Sequence, residues 1–107
     1  MGEVEDSLTA SVSSSRDSSG ALTLSIVGEL DIASVGAVNE AIEEYLSDDS
    51  RRVVFDLGGL TFMDSTGLAL MLQVSKKVDT IEIYNATPIV RRVIEATGLE
   101  EILGLRS

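Results

Sequence analysis

The sequence contains no cysteine and no histidine, and these two absences exclude several kinds of site. Without cysteine the chain has no disulfide, no thiolate nucleophile and no zinc–thiolate centre. Without histidine it lacks the commonest general base and the serine–histidine–aspartate arrangement of many hydrolases. We therefore expect a protein that is not an enzyme and that holds neither a metal nor a cofactor.

Basic residues and long apolar runs are also scarce. Eighteen acidic and eight basic side chains give a formal net charge of −10, which argues against direct nucleic-acid binding. No apolar run approaches the roughly 20 residues that a membrane span needs, and the acidic first residues do not resemble a signal peptide. We expect a cytoplasmic monomer or weak dimer without membrane insertion. The acidic charge is interpreted mainly as keeping the domain soluble, and alternatively as a face that meets a basic patch on a protein partner.

Length and apolar patterning indicate one α/β domain. The chain has 107 residues, and only 4% are aromatic, so leucine, isoleucine, valine and alanine must build the core. Residues 1–7 are interpreted as a flexible acidic tail and residues 8–107 as the domain. The predicted element order is β-β-α-β-α-β-α, with an antiparallel amino-terminal hairpin and parallel βαβ strands in one mixed sheet packed with helices.

The predicted elements can be placed on the sequence. The strands cover residues 8–14, 21–27, 52–57 and 81–84, and the helices follow Ser34 as N-cap, Gly67, and Thr87-Pro88. Strand 52–57 is nearly continuous in apolar residues, which is typical of a strand covered on both faces, and Gly58-Gly59 is expected to end it. Residues 99–105 are predicted to pack back as a final turn or strand.

The segment Asp64-Ser65-Thr66-Gly67 follows a buried strand and precedes an apolar helix, so it is placed at a helix amino terminus. One interpretation is capping, since aspartate and serine oxygens accept the N–H groups that a helix start leaves unpaired. The other is phosphorylation of Ser65, because free N–H donors and the helix dipole would tolerate a charge of about −1.5 to −2 there. Gly67 is expected to let a partner approach the backbone. The residues alone leave both interpretations open.

Three motifs, in this order, resemble those of the STAS domain family, which is named for sulfate transporters and anti-sigma-factor antagonists. They are Gly28-Glu29-Leu30-Asp31, then Val54 to Leu57 with Leu60 to Leu68, then Pro88 to Val93 with Thr97-Gly98-Leu99. Each motif alone is a weak signal, but three at suitable spacing are a strong match. The resemblance covers residues 8–105 and points to the anti-sigma-factor-antagonist branch.

In that branch the resemblance implies a partner switch. The serine after the aspartate, Ser65 here, is phosphorylated by an ATP-bound serine kinase that is itself the anti-sigma factor. The unphosphorylated antagonist binds this kinase and releases the sigma factor, and a PP2C-type phosphatase resets the switch. Carried over residue by residue, the partner-binding positions are Asp31, Asp64, Ser65, Thr66 and Gly67. Without the resemblance, Asp31 is interpreted as a turn or helix-entry residue.

The chain departs from the family pattern between Gly67 and Asn85. Compared with the family pattern, this stretch is shorter by about one helical turn, and the usual Gly-Gly before the fourth strand is missing. The segment Val78-Asp79-Thr80 must therefore make a tight connection. The departure affects the far end of the second helix, which is predicted to run to Val78, and not the end that carries Ser65.

Three other functions compete with this interpretation. A STAS accessory subunit that docks on a transporter ATPase without phosphorylation is compatible with the apolar second helix. A receiver-like phosphoprotein would use Asp56, but the early acidic pair for Mg²⁺ and the later lysine are not evident. For an enzyme, Gly58-Gly59 lacks the sequel of a P-loop, and Asp31, Asp56 and Asp64 are interpreted more simply as turns and caps.

Overall fold

The computed structural model describes residues 4–6, 9–47 and 51–106, and these residues form one five-stranded sheet and three helices. The strands are β1 (Val4–Asp6), β2 (Ala10–Arg16), β3 (Leu22–Leu30), β4 (Arg52–Met63) and β5 (Thr80–Tyr84). The helices are α1 (Val35–Tyr45), α2 (Ser65–Ser75) and α3 (Pro88–Ala96). The strands lie side by side in chain order.

The pairing of neighbouring strands confirms the predicted mixed sheet. Strands β1, β2 and β3 pair antiparallel, whereas β3, β4 and β5 pair parallel. The hairpin between β2 and β3 is held by the Asp17 carboxylate, which accepts the N–H groups of Ser19 and Ala21 at 2.9 and 3.0 Å. Gly20 supplies the positive φ of 89° that this turn needs.

Strand β1 corrects the prediction of a flexible tail over residues 1–7. Its three residues pair with Ser11–Ser13 at one edge of the sheet. A strand of this length is too short for side-chain alternation to be recognised, and its two acidic residues favoured a tail. The sheet therefore begins before residue 8, although Leu8 itself, where the first strand was predicted to begin, lies outside the described residues.

One face of the sheet and the inner faces of the helices form a single hydrophobic core. Strand β3 contributes Leu22, Leu24 and Ile26, and the residues between them are less buried, as their alternation predicted. Phe55 of β4 is fully buried at the centre of the core. Helix α2 packs four buried apolar residues into it, which accounts for the apolar composition of this helix.

Strand β4 differs from the prediction in two respects. It does not end at Gly58-Gly59 but continues to Met63, because two irregularities in its pairing with β3 absorb extra residues. Its first half also buries one face only, since Val53, Phe55 and Leu57 are buried and Val54 between them is half-buried. The continuous apolar run was therefore wrongly interpreted as a strand covered on both faces.

The connection from α2 to β5 is tight, as the shortened sequence predicted. Helix α2 ends at Ser75, three residues before the predicted end at Val78. The N–H groups of Asp79 and Thr80 both donate to the carbonyl of Arg51, at 2.9 and 3.0 Å. One carbonyl at the start of β4 thus fixes the start of β5.

The carboxyl-terminal segment packs back on the sheet, as predicted. Helix α3 ends before Gly98, whose φ of 72° stops the helix. Leu105 then forms a parallel bridge with Ile83, so the segment covers part of the outer edge of β5. In the ranges that the structure describes, no helix is both long enough and apolar enough to cross a membrane.

Candidate functional site

The carboxyl ends of β3 and β4 bring the predicted site residues together. Leu30 and Met63, the last residues of these two parallel strands, are paired in register. The N–H of Asp64 donates to the carbonyl of Leu30 at 3.3 Å. Asp31 and Asp64, which follow the paired residues, therefore leave the sheet side by side at the carboxyl ends of these strands, although they are 33 positions apart in the chain.

Asp64 is the N-cap of helix α2. Its carboxylate accepts the backbone N–H of Thr66 at 2.9 Å and the Thr66 hydroxyl at 2.5 Å. The hydrogen bond from the Thr66 side chain is the main cause that lowers the pKa of Asp64 below its usual range, with backbone donors adding to it. The carboxylate is therefore charged at neutral pH and occupied by the helix that it caps.

Ser65 is the first residue of α2, and its side chain is exposed. Asp64 caps the helix, so Ser65 does not need to, and the capping interpretation applies to its neighbour instead. Within the described part of the chain the Ser65 hydroxyl forms no hydrogen bond. The Ser65 hydroxyl is therefore open to solvent and unengaged at the start of the helix.

Two of the donors that were expected to receive a phosphate on Ser65 are already in use. The N–H of Thr66 donates to the Asp64 carboxylate, and the N–H of Gly67 donates to the Asp64 carbonyl at 3.1 Å. The segments 17–50 and 53–75, which contain β3, α1, α2 and most of β4, include no lysine or arginine. Among the described residues the N–H of Ser65 itself has no hydrogen bond, so a phosphate would find one backbone donor at the helix start and no cation in these segments.

Gly67 is placed differently from the expectation that it opens the backbone to a partner. It is buried, and a Cβ added there would lie 2.5 Å from Met63 Cγ and 3.0 Å from Leu30 Cδ2. Gly67 therefore lets α2 pack closely over the ends of β3 and β4. Its contribution to the site is indirect, because this packing fixes the position of Ser65 two residues earlier.

Asp31 closes the turn between β3 and α1. Its carboxylate accepts the N–H groups of Ala33 and Ser34 at 3.0 and 3.2 Å. Ser34 occupies the N-cap position, as predicted, but its side chain forms no capping hydrogen bond. Its buried hydroxyl instead donates to the Glu29 carbonyl at 2.8 Å and accepts from the N–H of Asp31 at 3.1 Å. The loop that presents Asp31 is thus fixed by two side chains.

Asp56 does not lie at the carboxyl ends of β3 and β4. It lies inside β4, eight residues before Asp64, and its carboxylate accepts the N–H of Gly58 at 3.1 Å and the Asn85 side-chain amide at 3.2 Å. These contacts stabilise the first pairing irregularity of β4. The described residues contain no group of acidic side chains placed to hold a metal ion. The carboxylates Asp31, Asp56 and Asp64 therefore do not form a common centre.

Ile32 is a candidate partner contact that the sequence analysis did not single out. It lies in the turn directly after Asp31, and 81% of its surface is exposed, the largest fraction among the exposed large apolar residues described. Its position before the start of α1 is the signal that was available, because an isoleucine there cannot belong to the buried helix face. Phe62, next to Met63 on β4, is also 43% exposed at this end of the sheet.

Comparisons with known proteins agree with the fold and with the motifs. A family model described as STAS domain matches residues 14–107. The anti-sigma-F factor antagonist RsfB of Mycobacterium tuberculosis is 32% identical over 105 residues, covering 95% of this chain and 84% of the relative. An anti-sigma-B factor antagonist of Staphylococcus aureus is 29% identical over 80 residues, covering 71% of this chain and 74% of the relative.

Solved structures give the same result. The crystal structure of an anti-sigma factor antagonist from Mycobacterium paratuberculosis has a TM-score of 0.81 at 26% identity, covering 91% of this chain and 85% of that one. The unphosphorylated form of the anti-sigma factor antagonist SpoIIAA has a TM-score of 0.70 at 20% identity, covering 100% of this chain and 89% of that one, and shows the shared fold. These relatives are antagonist proteins rather than enzymes, in line with the prediction for this chain. Since the family model and the curated relatives both span most of its length, the chain belongs to the STAS domain family.

Proposed function

We propose that this chain is an anti-sigma-factor antagonist and that phosphorylation of Ser65 turns its binding off. In this proposal the unphosphorylated chain binds an ATP-bound anti-sigma factor with serine kinase activity, which then releases its sigma factor. A PP2C-type phosphatase removes the phosphate from Ser65 and restores binding. The switch is placed in the cytoplasm, where sigma factors act.

The observation that carries the proposal is the state of the Ser65 hydroxyl. The hydroxyl is exposed at the first position of α2, and it does not cap the helix because Asp64 is the N-cap. The relatives that are named as anti-sigma-factor antagonists support the same function. Asp31 and Ile32 follow β3 at the same end of the sheet as Ser65, which supports a partner surface that includes these three residues.

A phosphate on Ser65 is expected to change the surface and not the fold. It adds about −1.5 to −2 charges and three acceptor oxygens at a position that makes no internal contact. Because Asp64 keeps the N–H groups of Thr66 and Gly67, the phosphate does not replace an existing interaction. The phosphorylated domain should therefore be as stable as the unmodified one, while a partner seated over Ser65 would have to leave.

The test is affinity capture from native cell extract with matched baits, followed by mass spectrometry. Wild type, Ser65→Ala and Ser65→Glu are compared with Ser18→Glu, which adds the same charge at an exposed serine in the β2–β3 turn, at the opposite end of the sheet. We expect wild type, Ser65→Ala and Ser18→Glu to capture a kinase-type anti-sigma factor that Ser65→Glu loses. Capture of a transporter ATPase, or of the same partners by all four baits, would instead support an accessory subunit without a Ser65 switch.

A further inference from the structure

A groove between α1 and α2 opens directly beside Ser65. Its volume is about 300 Å³, and its walls include the apolar side chains of Val35 and Leu70 and the exposed Ala69. Thr66, the neighbour of Ser65, forms one end of the groove. The groove is therefore continuous with the surface that the proposed function uses.

Small residues keep the groove open. Ala69 is exposed on the α2 side, and a Cβ added to Gly36 on the α1 side would meet no atom within 4 Å. An apolar cavity of about 150 Å³ is large enough to bind benzene. The groove thus has room for at least one large apolar side chain of a partner, which would cover the exposed surfaces of Val35 and Ala69.

The charges around the groove select the kind of partner. The two helices and the strand ends beside them lie in segments 17–50 and 53–75, which contain no lysine or arginine. They do contain the carboxylates of Asp31 and Asp64 at the Ser65 end and those of Glu40 and Glu44, both exposed, on α1. The Glu43 carboxylate of α1 is paired with Lys77, just after α2, so the cation at the far end of the two helices is engaged. A partner segment that carries lysine or arginine next to its apolar side chain fits this surface, and an acidic one does not.

We propose that the α1–α2 groove receives an apolar side chain of the anti-sigma factor, flanked by basic residues that contact Asp31 and the acidic face of α1. This inference rests on the proposed function and adds where and how the partner binds. A phosphate attracts basic residues, so charge alone would strengthen binding to such a partner. The groove offers a reason why phosphorylation ends binding instead. A phosphate on Ser65 stands next to Thr66, which lines the groove, so that docking of the apolar side chain would strip part of the water around the phosphate.

The test measures the affinity of purified variants for the purified anti-sigma factor of the source organism, identified in the capture experiment. Ala69→Leu fills the groove without adding charge, and Ala96→Leu makes the same change at an exposed helical position of α3, away from the groove. We expect Ala69→Leu to weaken binding at least tenfold and Ala96→Leu to change it less than twofold, with both variants as stable as wild type in thermal unfolding. Binding by Ala69→Leu that equals or exceeds that of wild type would overturn the proposal.

The basic character of the partner is tested by salt. Affinity of the wild type should fall as NaCl rises from 50 to 500 mM, roughly as expected for screening of surface charges. Asp31→Asn, which retains an acceptor for the turn, should bind more weakly at 50 mM and respond less to salt. If wild-type affinity is independent of salt, or Asp31→Asn binds more tightly, the basic partner segment is excluded.

These outcomes separate the two proposals. Loss of binding by Ser65→Glu together with full binding by Ala69→Leu would support the Ser65 switch and exclude the groove as a binding site. If the wild type binds no anti-sigma factor, the proposed function itself is contradicted. A concentration-dependent dimer that Ala69→Leu abolishes would assign the groove to a second copy of this chain and contradict the proposal.

Discussion

The packing of Gly67 against the strand ends allows a quantitative prediction. A methyl group added by Gly67→Ala would lie 2.5 Å from Met63 Cγ and 3.0 Å from both Leu30 Cδ2 and Met63 Sδ. Met63 is 1% exposed and Leu30 0%, so neither side chain has solvent to move into. Carbon atoms normally approach to about 3.5–4.0 Å, so Met63 or the start of α2 must shift by about 1 Å. Overpacking of this kind costs about 1–3 kcal/mol.

The same substitution at Gly36 supplies the control. Both glycines are in α-helices, where alanine is favoured over glycine by about 1 kcal/mol, but a Cβ at Gly36 meets nothing within 4 Å. Gly36→Ala should therefore raise the free energy of unfolding by about 1 kcal/mol. Gly67→Ala should lower it by up to about 2 kcal/mol, since the helix preference offsets part of the overpacking.

Thermal and urea unfolding, followed by circular dichroism, measure this difference. For a domain of this size about 1 kcal/mol corresponds to roughly 4 °C in Tm, so the two variants should differ by roughly 4–12 °C. Gly67→Ala should also alter binding through Ser65, which the same helix start positions. If Gly67→Ala stabilises the domain as much as Gly36→Ala, the inference that α2 packs closely over β3 and β4 at Gly67 is wrong.

Three further predictions concern ion pairs, caps and backbone geometry. The bidentate pair with Arg52 is the main cause that lowers the pKa of Glu82 from 4.5 to about 2, so its stabilisation is complete above pH 4.5 and is lost as the pH falls toward 2. Glu82→Gln should remove about 1 kcal/mol at pH 7 and flatten this acid dependence in urea titrations, a modest effect because the Arg52 side chain is 44% exposed. Asp64→Ala should cost about 1 kcal/mol by removing the N-cap, whereas Asp64→Asn should cost much less, and equal losses in calorimetry would contradict the capping assignment. Gly28→Ala should prevent soluble expression or unfold the domain, because φ is 105° and a Cβ would lie 2.2 Å from the Thr9 carbonyl oxygen; a folded variant of normal Tm would refute this.

Much of the sheet and the site could be predicted from local sequence patterns. The alternation of Leu22, Leu24 and Ile26 identified a half-buried strand, and Thr87-Pro88 with Gly98 marked both ends of α3. Asp64 and Ser65 were placed at a helix start because a polar pair between an apolar strand and an apolar helix has few other positions. These features depend on residues that are neighbours in the chain.

The features that were missed depend on contacts between distant residues. Gly58-Gly59 does not end β4, because pairing with β3 continues past it, and nothing local reveals that partner strand. The burial of Gly67 depends on Met63 and Leu30 meeting above it, and the role of Ser34 depends on the Glu29 carbonyl that its hydroxyl reaches. Likewise, the hydrogen bonds from Thr66 to the Asp64 carboxylate at the start of α2 depend on the position of the Asp64 side chain, which the sequence does not reveal.

The central claim is that phosphorylation of Ser65 ends binding to an anti-sigma factor. The most direct measurement incubates the purified chain with the purified anti-sigma factor and ATP, locates the phosphate by mass spectrometry, and compares the affinity of the phosphorylated and unphosphorylated forms. Ser65→Ala serves as the control that cannot be modified at this position. We predict one phosphate on Ser65, none on Ser65→Ala, and at least a tenfold loss of affinity with an unchanged Tm. A phosphate on another residue such as Thr66, or a phosphorylated Ser65 form that binds as tightly as before, would contradict the account.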